Sequence, residues 1–115
     1  MKISALVHAV IDYATVLLLL IAPAMVGMKT VAVTFTYFLA IVHLVLTLVT
    51  DFKGGVFRLV PFKIHGLIEI IVAVLLVGVA VWFKTSGDNV SFYFYLIFSI
   101  VLFIVWGLSD YRRAG

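Results

Sequence analysis

The chain consists of long apolar stretches separated by short polar breaks. Four stretches, at residues 3–25, 30–50, 62–83 and 90–109, each reach the length of about 20 apolar residues that a membrane-spanning helix needs. The breaks between them hold charges, glycines or prolines, which is typical of helix ends. The apolar runs lack the strict alternation of membrane β-barrel strands. The sequence therefore predicts an all-α, four-helix transmembrane bundle.

The composition supports a membrane protein. Of the 115 residues, 66% are hydrophobic and 11% are charged, whereas a soluble domain carries about 25% charged residues. This excludes a water-soluble monomer and a disordered chain, and the lack of cysteine excludes a disulfide scaffold. The net charge of +3 forms no basic patch, so we expect no nucleic-acid partner. The expected partner is the lipid bilayer.

The basic residues are distributed unequally between the two ends of the spans. Lys29 and Lys84 lie in the first and third breaks. The other six basic residues lie near the termini and in the middle break: Lys2, Lys53, Arg58, Lys63, Arg112 and Arg113. The positive-inside rule then places both termini in the cytoplasm. We expect an integral protein of the bacterial inner membrane.

The polar residues inside the spans repeat along the chain. The first span carries His8 and Asp12, and the third carries His65 and Glu69. In both pairs the spacing of four places the side chains on one helix face, one turn apart. The second and fourth spans end in a hydroxyl–acid–aromatic triplet, at residues 50–52 and 109–111. The pattern predicts one transmembrane domain, 1–115, built from two parallel hairpin repeats at about 1–54 and 61–113.

The acids within the spans need a reason to be there. Burying an Asp at the bilayer centre costs about 2.5–3.5 kcal/mol on insertion scales, so Asp12 and Glu69 are expected to face the bundle interior. A rise of about 1.5 Å per residue gives the depth of each polar residue. From the inner surface to the midplane we expect Asp51 and Asp110 as a secondary polar layer, then His8 and His65, then Asp12 and Glu69, then His43.

Imidazole and carboxylate groups suit two kinds of chemistry. They are ligands for divalent zinc, iron or manganese, and they can relay protons near neutral pH. The candidate metal site, open to the cytoplasm, consists of His8, Asp12, His65, Glu69 and His43. A haem held between His8 and His65 has no further support in the sequence. A purely structural role stays open for these residues. The His–acid pairs would then be internal hydrogen bonds, and Asp51 and Asp110 would be solvated interface residues.

Three functions follow from this pattern. The first is binding or passage of a cation, either a proton or a divalent metal, with a homo-oligomer expected for passage because four helices leave little room for a pore. The alternative is a non-catalytic accessory or scaffold subunit of a larger membrane complex, in which the polar layer only fixes helix register. The third is a metal-dependent membrane enzyme, for which the sequence holds no catalytic signature.

Two segments carry a resemblance to a known family. Residues 10–13 (VIDY) with residues 21–28 (IAPAMVGM) resemble one unit of the bacterial SPW-repeat membrane proteins. Residues 52–61 (FKGGVFRLVP) with residues 63–66 (KIHG) resemble the loop between two such units. The resemblance implies a small multi-helix membrane protein, and it contributes no catalytic residues.

Overall fold

The computed structural model of the chain describes residues 2–112, and this range holds four long helices. They are α1 (Ala5–Val26), α2 (Thr30–Val49), α3 (Phe62–Thr85) and α4 (Asn89–Leu108). Each is long and apolar enough to cross a membrane, and each begins and ends within two residues of its predicted span. The predicted all-α, four-helix architecture is confirmed.

The helices pack as two antiparallel pairs, α1 with α2 and α3 with α4. The bundle measures 43 Å along its longest axis, which exceeds the hydrocarbon thickness of about 30 Å of a bilayer. Its interior is rich in small side chains, which let helix backbones approach closely: Ala22, Ala32, Ala40, Ala73 and Ala80 are all buried. Large apolar side chains such as Leu17, Phe38 and Leu75 point outward, as a lipid-facing surface requires.

Two short β contacts join the hairpins at the end of the bundle that holds the N-terminus. The first is a parallel pair of strands, β1 (Thr50–Asp51) and β2 (Val60–Pro61). The second is a parallel bridge between Ile3 and Ser109. Each contact links the end of one hairpin to the beginning of the other, so the two joints have equivalent positions. The sequence did not predict these strands, and the repeat boundaries at 1–54 and 61–113 stay a prediction.

Further contacts between the hairpins lie in the opposite half of the bundle and at its opposite end. About two turns inside that opposite end, the hydroxyls of Thr36 and Tyr95 hydrogen-bond to each other, and both side chains are fully buried. At the opposite end, the carboxylate of Asp88 accepts hydrogen bonds from the backbone and hydroxyl of Ser91 and from the backbone N–H of Lys29. Asp88 therefore caps α4 and holds the start of α2.

The environment of Asp88 determines its charge state. Burial raises the pKa of its carboxyl, but the hydrogen bonds from Ser91 and Lys29, with the charge of Lys29, outweigh this effect. The net result is a pKa below the usual value for aspartate. Asp88 is thus held as a carboxylate, the form that accepts these hydrogen bonds.

We predict that Asp88→Ala lowers the free energy of unfolding by about 1–2 kcal/mol, because it removes a helix cap. Since the folded-state pKa is lowered, the carboxylate stabilises the fold above the unfolded-state pKa of about 3.9. This stabilisation is lost as the pH falls through the folded-state pKa, so variant and wild type should converge in acid. Reversible unfolding in detergent micelles, followed by circular dichroism, measures the difference. The exposed Asp51→Ala is the matched control, and equal stability of the Asp88 variant and wild type would contradict the prediction.

Candidate metal centre

The structure brings the two His–acid pairs together in the bundle interior. His8 and Asp12 of α1 face His65 and Glu69 of α3, in the layer next to the β contacts. All four side chains are buried, with at most 5% of any residue exposed. The spacing of four places each pair on the inner face of its helix, and the equivalent positions of the two hairpins place the pairs opposite each other.

Each imidazole contacts both carboxylates. His8 Nε2 lies 3.3 Å from Asp12 Oδ2 and 3.1 Å from Glu69 Oε2. His65 Nε2 lies 3.2 Å from Asp12 Oδ2 and 3.7 Å from Glu69 Oε2. Despite these short distances, His8 Nε2, His65 Nε2 and Asp12 Oδ2 have no hydrogen-bond partner. Three buried polar atoms therefore converge on one point without hydrogen bonding to one another.

His43 joins the cluster from α2. Its Nε2 lies 3.6 Å from Asp12 Oδ1, and its side chain is slightly exposed. This contact joins His43 to the polar cluster from the α2 side. Its expected depth near the midplane stays a prediction.

The hydroxyl–acid–aromatic triplets contribute their first and third residues to the site. Thr50 and Ser109 are buried beside the histidines, and Phe52 is buried next to them. The acids lie nearer the surface: Asp51 is exposed, and Asp110 forms an ion pair of 3.2 Å with Arg112. Sequence reasoning found the triplets but selected their acids as the polar layer.

The two hydroxyls fix the protonation of the histidines. His8 Nδ1 lies 2.7 Å from Ser109 Oγ, and His65 Nδ1 lies 2.7 Å from Thr50 Oγ1. Each hydroxyl already donates its one proton to a backbone carbonyl of its own helix. Each hydroxyl must therefore accept a hydrogen bond from the imidazole. Both histidines consequently carry a proton on Nδ1 and direct Nε2 towards the carboxylates.

This arrangement requires a proton or a metal ion between the facing atoms. A neutral imidazole protonated on Nδ1 presents a lone pair on Nε2, and a lone pair facing a carboxylate oxygen is repulsive. A cation between these atoms, either a proton on Nε2 or a metal ion, removes the repulsion. A tetrahedral ion with bonds of about 2.0–2.2 Å separates its ligand atoms by about 3.3–3.6 Å, close to the observed range. Donor atoms of His8, Asp12 and His65 all lie within 4.8 Å of one another and could hold such an ion.

Aromatic rings cover the cluster on its outer side. Phe62 packs edge-on against His8 with the ring centroids 5.3 Å apart, and Phe52 is tilted against His65 at 5.6 Å. The Tyr111 hydroxyl donates a 3.0 Å hydrogen bond to Glu69 Oε2. Burial and the nearby Glu69 carboxylate raise the pKa of Tyr111, so it remains a donor. The rings shield the cluster from water, and the Tyr111 hydroxyl orients the Glu69 carboxylate.

The geometry also bears on a haem between His8 and His65. The two ring centroids lie 5.2 Å apart, and the rings pack edge to face. Two rings in this contact leave no space for a porphyrin between them.

A small cavity adjoins the cluster beside His43. It has a volume of about 50 Å³, lies between α2 and α3, and is lined by His43, His65 and Glu69 together with aliphatic side chains. Thr36 and Tyr95 are 59 residues apart in the sequence. The same separation relates His43 to Leu102, which also lines the cavity. The two hairpins therefore differ at this position.

Comparisons of the chain with protein-family models, with curated proteins and with solved structures found no match. The resemblance to SPW-repeat proteins stays a hypothesis. The fold and the site define an integral membrane protein with a buried His/carboxylate cluster that could bind a metal ion. Its function must be inferred from the site itself.

We predict that His8 and His65 both carry a proton on Nδ1, because Ser109 and Thr50 can only accept there. Nitrogen NMR of histidine-labelled protein in detergent distinguishes the two ring nitrogens. Ser109→Ala should shift the Nδ1 resonance of His8 alone, and Thr50→Val that of His65 alone. A neutral imidazole with its proton on Nε2, at either position in the wild type, would refute the assignment.

Proposed function

We propose that this membrane protein binds one divalent metal ion between its hairpins. The observation that carries the proposal is the convergence of His8 Nε2, His65 Nε2 and Asp12 Oδ2, all buried and all without a hydrogen-bond partner. Glu69 supplies a fourth donor through its contacts with both histidines. Two nitrogens and two carboxylate oxygens form a ligand set that suits zinc, iron or manganese.

Charge balance supports a divalent ion. Two carboxylates in a dry interior are costly unless a positive charge compensates them. Two extra protons, one on each Nε2, would also balance the charge, which is the basis of the proton-relay alternative. Protonated nitrogens at these distances would be expected to hydrogen-bond to the carboxylates, yet Nε2 of both histidines lacks such a bond. The contact geometry therefore favours a metal over protons.

The hydroxyls support the same reading. A histidine that binds a metal usually donates its other ring N–H to a nearby oxygen, which fixes the ring and raises its basicity. Ser109 and Thr50 accept in this way from His8 and His65. Each hydroxyl thus orients one imidazole towards the proposed ion.

The core beyond the cluster favours binding over passage. Towards the opposite end of the bundle, the described core is filled by Val16, Leu19, Leu76 and other apolar side chains. The Thr36–Tyr95 pair is a local polar contact within this apolar region. We therefore propose retention of the ion, with passage as the less supported form of the same function.

The accessory-subunit function has its own supporting observation. The hydrogen bonds from His8 to Ser109 and from His65 to Thr50 each connect one hairpin to the other. A polar layer of this kind would fix helix register without any metal. A partner that copurifies in a fixed ratio with metal-free protein would support this function. A metal-free homo-oligomer would support it in the same way. A metal-dependent membrane enzyme is the third possibility, with the cavity beside His43 as the space for a reactant.

We also propose a bacterial inner-membrane location with both termini in the cytoplasm. The support is the distribution of Lys and Arg. Five of the six residues assigned to the cytoplasmic side lie in the described range, and Arg113 lies outside it. The site would then lie in the cytoplasmic half of the bilayer.

We predict that purified wild-type protein, loaded with zinc, iron or manganese and then desalted, retains about one ion per chain, as a single four-donor site requires. Elemental analysis by mass spectrometry gives the ratio. Asp12→Asn, Glu69→Gln and His65→Ala each remove a donor and should lower retention to background. Ser109→Ala leaves every donor in place and should weaken binding by about 10–100-fold.

Asp51→Asn is the matched control for the donor variants, because this acid is exposed and outside the cluster. It should retain metal like the wild type. Circular dichroism and gel filtration establish that each variant is folded. Metal-free wild type after loading with all three ions, or full retention by Asp12→Asn, would overturn the proposal.

The orientation gives a separate prediction. The chain has no cysteine, so single cysteines report on one position each. Lys53→Cys should react with a membrane-impermeant maleimide only after the cells are permeabilised, whereas Ser86→Cys should react in intact cells. The reverse pattern would place the termini outside.

A further inference from the structure

A groove separates the start of α3 from the end of α4, at the end of the bundle that carries the metal centre. It has a volume of about 370 Å³. Lys63 and Arg112 line it together with the aromatic rings of Trp106 and Tyr111. The groove is separate from the cavity beside His43, and no part of the proposed function uses it.

The ring of Tyr111 forms one wall of this groove, and it fits there because residue 66 is glycine. A Cβ atom there would collide with the ring of Tyr111, which lies directly on the helix backbone. The first hairpin differs at the equivalent positions, where Ala9 takes the place of Gly66 and Tyr13 that of Ile70. There the Tyr13 hydroxyl donates a hydrogen bond to the carbonyl of Gly54, and the loop packs over Ala9. The corresponding surface of the first hairpin is therefore covered.

The groove combines two kinds of surface. Lys63 is exposed, and so is Arg112, whose Nε contacts Asp110 while 79% of its side chain remains exposed. Leu67 and Ile70 form the aliphatic floor of the groove. Ile70 also lines a second shallow groove that continues along α3 past Val74 and Leu75. Two cations thus lie at one end of a continuous aliphatic track.

We propose that this groove binds an anionic phospholipid. The phosphate lies between Lys63 and Arg112, and one acyl chain follows Ile70, Val74 and Leu75. Basic pockets between transmembrane helices recognise anionic headgroups in this way, and a tryptophan such as Trp106 is suited to headgroup depth. A soluble anion would use the two cations and leave the aliphatic track bare. The inference does not rest on the metal centre, although Tyr111 forms a wall of both sites.

The chain provides its own fluorescent reporter for a test. It contains two tryptophans, with Trp106 in the groove and Trp82 near the opposite end of α3. In a Trp82→Phe variant the fluorescence comes from Trp106 alone. The protein is reconstituted in phosphatidylcholine vesicles that contain a low fraction of brominated lipid, because bromine quenches only tryptophans that it contacts.

We predict that brominated phosphatidylglycerol quenches Trp106 at least about twofold more than brominated phosphatidylcholine at equal fraction, since the groove selects an anionic headgroup. Lys63→Gln with Arg112→Gln should abolish the excess. Lys53→Gln with Arg58→Gln removes two charges at the same end but outside the groove, and should preserve it. A Trp106→Phe variant, which reports from Trp82, should show no such excess.

Three outcomes would overturn the proposal. Equal quenching by the two brominated lipids would mean that the groove does not select the headgroup. Equal loss in the two double variants would indicate general attraction to an anionic surface. Loss of the excess on adding inorganic phosphate would indicate a site for a soluble anion.

Discussion

The structure depends on a pair of crossed hydrogen bonds. The imidazole near the start of each hairpin donates to the hydroxyl at the end of the other, His8 to Ser109 and His65 to Thr50. Each hydroxyl is in turn held by a carbonyl of its own helix. These bonds join the two hairpins and set the direction of both Nε2 atoms. The joining of the hairpins at this end and the geometry of the cluster therefore depend on the same four residues.

The sequence was sufficient for the helices and for the central pairs. The bilayer requires apolar spans of a fixed length, so the polar breaks predict the helix ends closely. The cost of an acid within a span predicts that Asp12 and Glu69 face the interior, where the structure places both. The spacing of four then requires His8 and His65 to share those inner faces. All of these inferences use local periodicity and the properties of the solvent, which one sequence contains.

The remaining details depend on where each helix stops. After Val49 and Leu108 the backbone becomes extended, and this change decides that Thr50 and Ser109 point inward while Asp51 points outward. Spacing within the triplets does not reveal that choice, although a hydroxyl at both equivalent positions was a visible signal. The contact of Tyr111 with Gly66 joins distant parts of the chain and has no local signature.

The two halves differ beside the cluster at the position of His43. His43 approaches Asp12 from α2, whereas the equivalent residue of α4 is Leu102. Two identical copies of a single hairpin could not carry histidine in one copy and leucine in the other. A single polypeptide permits the difference, so the two sides of the polar cluster are not equivalent. A molecule in the adjoining cavity would meet a third imidazole nitrogen from α2, and from α4 the aliphatic side chain of Leu102.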